Sequence, residues 1–174
     1  MSRTTRAAAL SLLLASASTT AVLGTPGAAN ANCAAAGEIG YSVSAVDTRV
    51  PFKRVPVFKN GPGGSVEATR GYSGTATYSV TAGAESEVGA VLAKAKVSVS
   101  ASLTKSNTTD TTITYKRNIP RGKYGNLQYV SWGKRVSWKK YQINSTCTGT
   151  RTLATGRISF PSTGEGWFYW TTTS

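Results

Sequence analysis

Seven carboxylates, two cysteines and no histidine are what this 174-residue chain offers for bond-making chemistry. Histidine is the side chain whose unperturbed pKa suits proton transfer at neutral pH, and the commonest metal ligand. Without it, no Ser/His/Asp or Cys/His nucleophile system can be assembled, and a zinc or transition-metal site would rest on carboxylates and two sulfurs alone. Glu85 and Glu87 are the one close carboxylate pair. On a strand they share a face, and paired carboxylates can hydrolyse glycosidic bonds. Ser86 between them, and no aromatic nearby to stack a sugar, point instead to a solvated acidic spot. The expectation is a protein that acts by contact: no catalytic residue, no metal, no cofactor.

Cys33 and Cys147 form an even pair. In an exported chain they most simply form one disulfide, tying the start of the mature chain to a late strand. The residues ahead of Cys33 suit export. Arg3 and Arg6 make a cationic start, Ala7 to Leu23 an apolar core, and Ala29-Asn30-Ala31 a small-x-small cleavage site. The apolar core is shorter than the roughly 20 residues a membrane span needs. Residues 1–31 therefore read as a cleaved signal peptide and the protein as secreted. Loss of Arg3 and Arg6 with the leader takes the formal net charge from +13 to +11.

Behind the leader the texture divides in two. Residues 32–66 read as an extended N-terminal arm. Tyr41 to Val46 alternates like a strand, but Pro51 and Pro56 lack the donor a central strand needs, and Asn60-Gly61-Pro62-Gly63-Gly64 breaks the chain. Residues 67–174 read as a basic antiparallel β domain, because the apolar period is two over long stretches. Thr75–Thr81, Lys96–Thr104, Thr111–Lys116, Leu127–Trp138 and Thr150–Phe160 are the expected strands, with a turn over Ser106–Asp110 that pairs the second and third as a hairpin. Glu85, Val88, Val91 and Leu92 also fit a helical face, but Gly83 and Gly89 weaken a helix, so Ala84–Ala95 is assigned to strand. Val136 and Trp138 are even in phase, whereas Tyr141 and Ile143 are odd, which implies a bulge near Lys139-Lys140. The fold class is all-β, a sandwich-like antiparallel domain preceded by the arm.

Contact surfaces are the next question. Between Asp110 and Glu165 there is no acidic residue, yet Lys116, Arg117, Arg121, Lys123, Lys134, Arg135, Lys139, Lys140, Arg151 and Arg157 all fall there, interleaved with Tyr124, Tyr129, Trp132, Trp138 and Tyr141. Such a region presents a positive surface. Its partner could be anionic lipid, a cell-wall polymer or an acidic protein; for a secreted chain nucleic acid is not expected. The arm offers a second surface. Val50, Pro51, Phe52, Lys53, Arg54, Val55, Pro56, Val57 and Phe58 could lie extended in a groove of another protein, or fold back as an edge strand on their own domain.

The Ala-rich leader, the short mature chain beginning near Cys33, the arm around Val50–Pro56 and the closing Gly166-Trp167-Phe168-Tyr169-Trp170 resemble the small secreted B component of the umbrella toxin particles of filamentous soil actinobacteria. The resemblance implies an adaptor that joins a lectin-like adhesion component to a large toxin-bearing component in a particle that inhibits competing bacteria. Carried over, Val50–Phe58 would be the docking segment, and the domain from Tyr72 onward would meet the adhesion component. A different reading comes from the Ser/Thr alternation. Lys96–Thr104 paired with Thr109–Arg117 has the texture of the membrane hairpins of aerolysin-type pore formers, whose strands need about 9 to 11 residues. Membrane contact belongs to that alternative alone.

Overall fold

One strand organises the protein. Tyr124–Ile143 runs for 20 residues and carries Tyr124, Tyr129, Val130, Trp132, Val136, Trp138, Tyr141 and Ile143, residue types that favour strands, and every strand of the main sheet except one pairs with it directly. The computed structural model describes residues 33–68 and 71–174. In chain order it contains β1 (Ile39–Pro51), β2 (Phe58–Asn60), β3 (Ser65–Ala68), β4 (Tyr72–Thr77), β5 (Ser79–Val80), a 3-10 turn (Glu85–Glu87), α1 (Val88–Ser98), β6 (Ser106–Thr111), β7 (Tyr115–Asn118), β8 (Tyr124–Ile143), β9 (Thr150–Phe160) and β10 (Glu165–Thr172). The leader expected over residues 1–31 lies outside the described residues. The described residues adopt the all-β antiparallel class, with one short helix among them.

β1 and β2 run along one edge of β8, and β9 and β10 share the other. Two short sheets, β3 with β7 and β4 with β6, make a second layer. That layer covers the odd-numbered face of the first part of β8. There Leu127 and Tyr129 join Phe52, Val55, Val66, Ala76 and Trp167 in one core. Further along, the buried residues of β8 are the even ones. Val136 and Trp138 pack with Ile158, Phe160 and the α1 residues Val88, Val91 and Ala95 in a second core. The register with β1 is unbroken from Pro51 opposite Val130 to Ile39 opposite Gln142, so these are opposite faces of one continuous sheet. The covered face therefore changes around Ser131–Gly133, and beyond it the odd residues Arg135, Ser137 and Lys139 are exposed.

Several expected elements differ. Ala84–Ala95 and the start of Lys96–Thr104 form the turn and α1 rather than strands, because Val88, Val91 and Ala95 fall on one helical face against the apolar strip of β1 and β8. The alternation beyond Lys96 is thus not that of a strand: Val97 is 87% exposed, Val99 packs half-buried against the second core and Leu103 is buried in it. The hairpin of Lys96–Thr104 with Thr109–Arg117 does not form. Ser106–Asp110, expected as a turn, lies in β6 and pairs residue for residue with β4. Two of its polar side chains meet Glu165: Asn107 and Thr109 donate to that carboxylate at 2.8 and 2.6 Å, and Tyr129 of β8 donates to it at 3.1 Å. β9 spans the expected residues, and the register shift falls between Lys140 and Tyr141, with Leu153 of β9 the extra residue.

Residues 33–66 are not a free arm. β1 pairs with β8 along its whole length, and the described chain through Ser174 belongs to one unit. Cys33 and Cys147 form the disulfide, with Cα atoms 5.6 Å apart, at the end where β1 meets β8.

Candidate contact surfaces

The proline-bearing segment folds back on its own domain. Val50, Phe52 and Val55 are buried, Phe52 at 2% exposure against the Tyr129 ring. Phe58 packs edge-on to Tyr72 and Trp167. Apolar side chains at the period of an extended strand, meeting Leu127 and Tyr129, gain more by burial than by display. The chain is held there by bonds from Phe52 N to Tyr129 O at 3.2 Å and from Lys53 N to Thr75 O at 3.0 Å. Gly74 makes that approach possible, since a Cβ there would sit 2.4 Å from Lys53 O. Of the nine segment residues, Pro51, Lys53, Arg54, Pro56 and Val57 remain exposed. Arg54 adopts φ 72°, a left-handed conformation that costs a non-glycine residue roughly 1 to 2 kcal/mol. Its neighbours enforce it, with Phe52 and Val55 both anchored in the core.

A second surface is the open odd face of the β1, β8 and β9 ladder. Residues opposite one another in the register share a face: Val46, Arg135 and Ser159; then Ser44, Ser137 and Arg157; then Ser42, Lys139 and Thr155. Val46 is 62% exposed, and Arg135, Lys139 and Arg157 are exposed and carry no ion pair among the described residues. β1 is the edge of the sheet, so this cationic, hydroxyl-lined face ends on a strand with an outward backbone edge. Sequence reasoning found these cations but could not place them on one face. That required the pairing.

The opposite face of the same ladder is latched by charge. Glu87 accepts from Lys140 Nζ at 2.8 Å and from the Tyr41 hydroxyl, joining the turn before α1 to the sheet. These bonds hold the Glu87 carboxyl below its ordinary range and the Tyr41 and Lys140 protons on to higher pH. Glu85 and Glu87 therefore do not share a strand face, and Glu87 is engaged as a fastener. Among the described residues no group of three or more His, Cys, Asp or Glu is placed to hold a metal ion.

A third surface gathers side chains that the sequence reading left apart. Arg49 of β1 sits directly opposite Trp132 of β8, and its Cζ lies 3.8 Å above the Phe168 ring of β10. Phe168 stacks on Trp170 at 5.3 Å and 15°. Trp132 is 44% exposed.

No family model matches the chain, and no curated protein matches its sequence.

Proposed function

We propose that this protein is a secreted, non-enzymatic adaptor subunit of an antibacterial toxin particle, holding a lectin-like adhesion component and a large toxin-bearing component together in competition between bacteria. The observation that carries this reading is the open face of Arg135, Lys139 and Arg157, a rigid, uncompensated cationic ladder beside an edge strand. Such a face suits an acidic protein surface, with electrostatic complementarity setting register and encounter rate. The exposed Lys53, Arg54, Pro56 and Val57 give a second contact on another part of the molecule, which is what a subunit between two neighbours requires. This keeps the docking role carried over from the resemblance, confined to the half of Val50–Phe58 that faces outward.

The test is recovery of the tagged full chain from the native culture supernatant, with its companions identified by mass spectrometry. Two much larger proteins are expected. Arg135→Glu, Lys139→Glu and Arg157→Glu together should release one of them and leave the other, while Lys53→Glu with Arg54→Glu should do the reverse. Recovery of a lone monomer would contradict the proposal.

A further inference from the structure

Among the described strands β1 pairs with β8 on one side only. Phe52 N donates to Tyr129 O at 3.2 Å and Ile143 N donates to Glu38 O at 2.9 Å, each bond joining direct partners in the register. Antiparallel pairing alternates such bonded residues with residues whose N–H and C=O point the other way. The even-numbered residues of β1 therefore spend their main-chain groups on β8, and Tyr41, Val43, Ala45, Asp47 and Arg49 turn theirs outward. Pro51 falls in the same outward row and has no N–H, so the row ends there. Sheets protect such edges with charges, prolines or bulges. Gly40–Val46 has none of these: its residues are uncharged, none is proline, and the register with β8 is unbroken.

The two faces beside this edge differ. On one, Tyr41, Val43 and Ala45 pack half-buried against the second core. On the other, Ser42, Ser44 and Val46 are exposed, with Lys139 directly opposite Ser42 and Arg135 directly opposite Val46. A strand added outside β1 would lie two strand spacings, about 10 Å, from β8, close to one Debye length at physiological salt. The cations of β8 therefore still favour acidic residues on that face of the added strand, while the other face favours apolar ones. The net charge of +13 disfavours a second copy of the chain as occupant. We propose that β1 accepts, along Gly40–Val46, an extended segment of the partner in which acidic and apolar residues alternate, added as a further strand of the main sheet. This rests on the cationic-face reading above and states how the acidic partner is held: main-chain bonds give the affinity, and the two unlike faces give the choice of side chains.

The experiment uses the full chain with its disulfide formed, at physiological ionic strength. The probe is a fluorescein-labelled peptide of alternating glutamate and valine between terminal threonines, followed by anisotropy. It should bind about ten-fold more tightly than the same peptide with lysine in place of glutamate. Of two N-methylated forms, one blocked at its valine amides and one at its glutamate amides, one should lose binding about ten-fold or more and the other keep it, because an added strand pairs along a single edge. Ala45→Pro removes an outward N–H and no bond to β8, so it should weaken binding about ten-fold at an unchanged melting temperature; the methylated peptides decide the matter if that variant does not fold. Amide exchange at Val43 and Ala45 should slow when the peptide is bound. The proposal is overturned if the glutamate peptide does not bind, if the lysine peptide binds equally, or if both methylated forms still bind. A dimer of the chain alone that Ala45→Pro separates would also overturn it, giving the edge to a second copy. In the native supernatant, loss of a large companion from the Arg135→Glu, Lys139→Glu, Arg157→Glu chain but not from folded Ala45→Pro would overturn the edge and leave the cationic-face reading standing. A wild-type monomer there would contradict that reading, with the edge then judged by the peptides alone.

Discussion

Lys140 Nζ lies 2.8 Å from Glu87 Oε1, and this pair fastens the turn that leads into α1 to the sheet. Tyr41 completes the group from the edge strand. Glu87 titrates below its ordinary value of 4.5, so its contribution to stability is present above that value and is lost as pH falls through the lowered one. Tyr41 and Lys140 titrate above 10.0 and 10.5, so their contributions are complete below those values and are lost as pH rises beyond them. Glu87→Gln should therefore lower the melting temperature at neutral pH and flatten its decline at both extremes. Parallel curves for the two proteins, measured by circular dichroism from acid to alkaline pH, would contradict this role.

The Cys33–Cys147 bond closes a loop with a sequence separation of 114. In the chain-entropy model such a crosslink contributes about 4 to 5 kcal/mol, which for a chain of this size is roughly 8 to 20 °C in melting temperature. Cys33→Ser with Cys147→Ser should lose about that much and keep the native far-ultraviolet spectrum. The strand ends stay joined by Gly37 N to Ile143 O at 3.0 Å and Ile143 N to Glu38 O at 2.9 Å. Loss of the β spectrum at low temperature would show that the bond defines the sheet rather than stabilising it.

Where the covered face of β8 changes, tolerance should be least. Ser131 Oγ donates to Ser162 O at 2.7 Å and accepts from Ser162 N at 2.8 Å, fully buried. Ser131→Ala leaves both groups unsatisfied and should cost about 2 to 4 kcal/mol by denaturant unfolding. Gly133→Ala should cost more, because its Cβ would stand 2.1 Å from the Phe160 carbonyl oxygen. Near-native stability for either variant would show that this crossing can relax.

Arg54 separates conformational from contact roles. Arg54→Gly removes the penalty of φ 72° and should raise stability by up to about 1 kcal/mol, or leave it unchanged. If Arg54 is also a docking residue, the same variant should weaken capture of one large partner. A variant that is less stable and binds equally well would contradict both statements.

The legible parts of this fold are those fixed by local alternation. β9 stands at its expected residues, and the even-to-odd phase change near Lys140 marks a true register shift, although the extra residue belongs to the partner strand. The helix is hidden in the sequence for a physical reason: Val97, Val99, Ala101 and Leu103 alternate as a strand does, yet Val88, Val91 and Ala95 also meet one sheet face, and tertiary packing decides. β6 is a polar segment with little strand character of its own, held by pairing with β4 and by Glu165. Nothing local announces those distant partners. Phe52 and Val55 could have been displayed or buried, and the choice rests on Leu127 and Tyr129 far along the chain. The cations were countable from the sequence, but the gathering of Arg135, Lys139 and Arg157 on one face, and of Arg49 with Trp132 and Phe168 on another, is a consequence of register.

The central claim is that the open cationic face of β1, β8 and β9 holds another protein, and one measurement bears on it directly. The full chain and its Arg135→Glu, Lys139→Glu, Arg157→Glu variant are each expressed in the native producer, and the size of the species carrying the chain in the culture supernatant is determined by native gel filtration. The claim predicts that the wild-type chain elutes within a much larger particle and that the folded variant elutes in a smaller species that has lost one component. Identical elution of both, or a wild-type monomer, would contradict it.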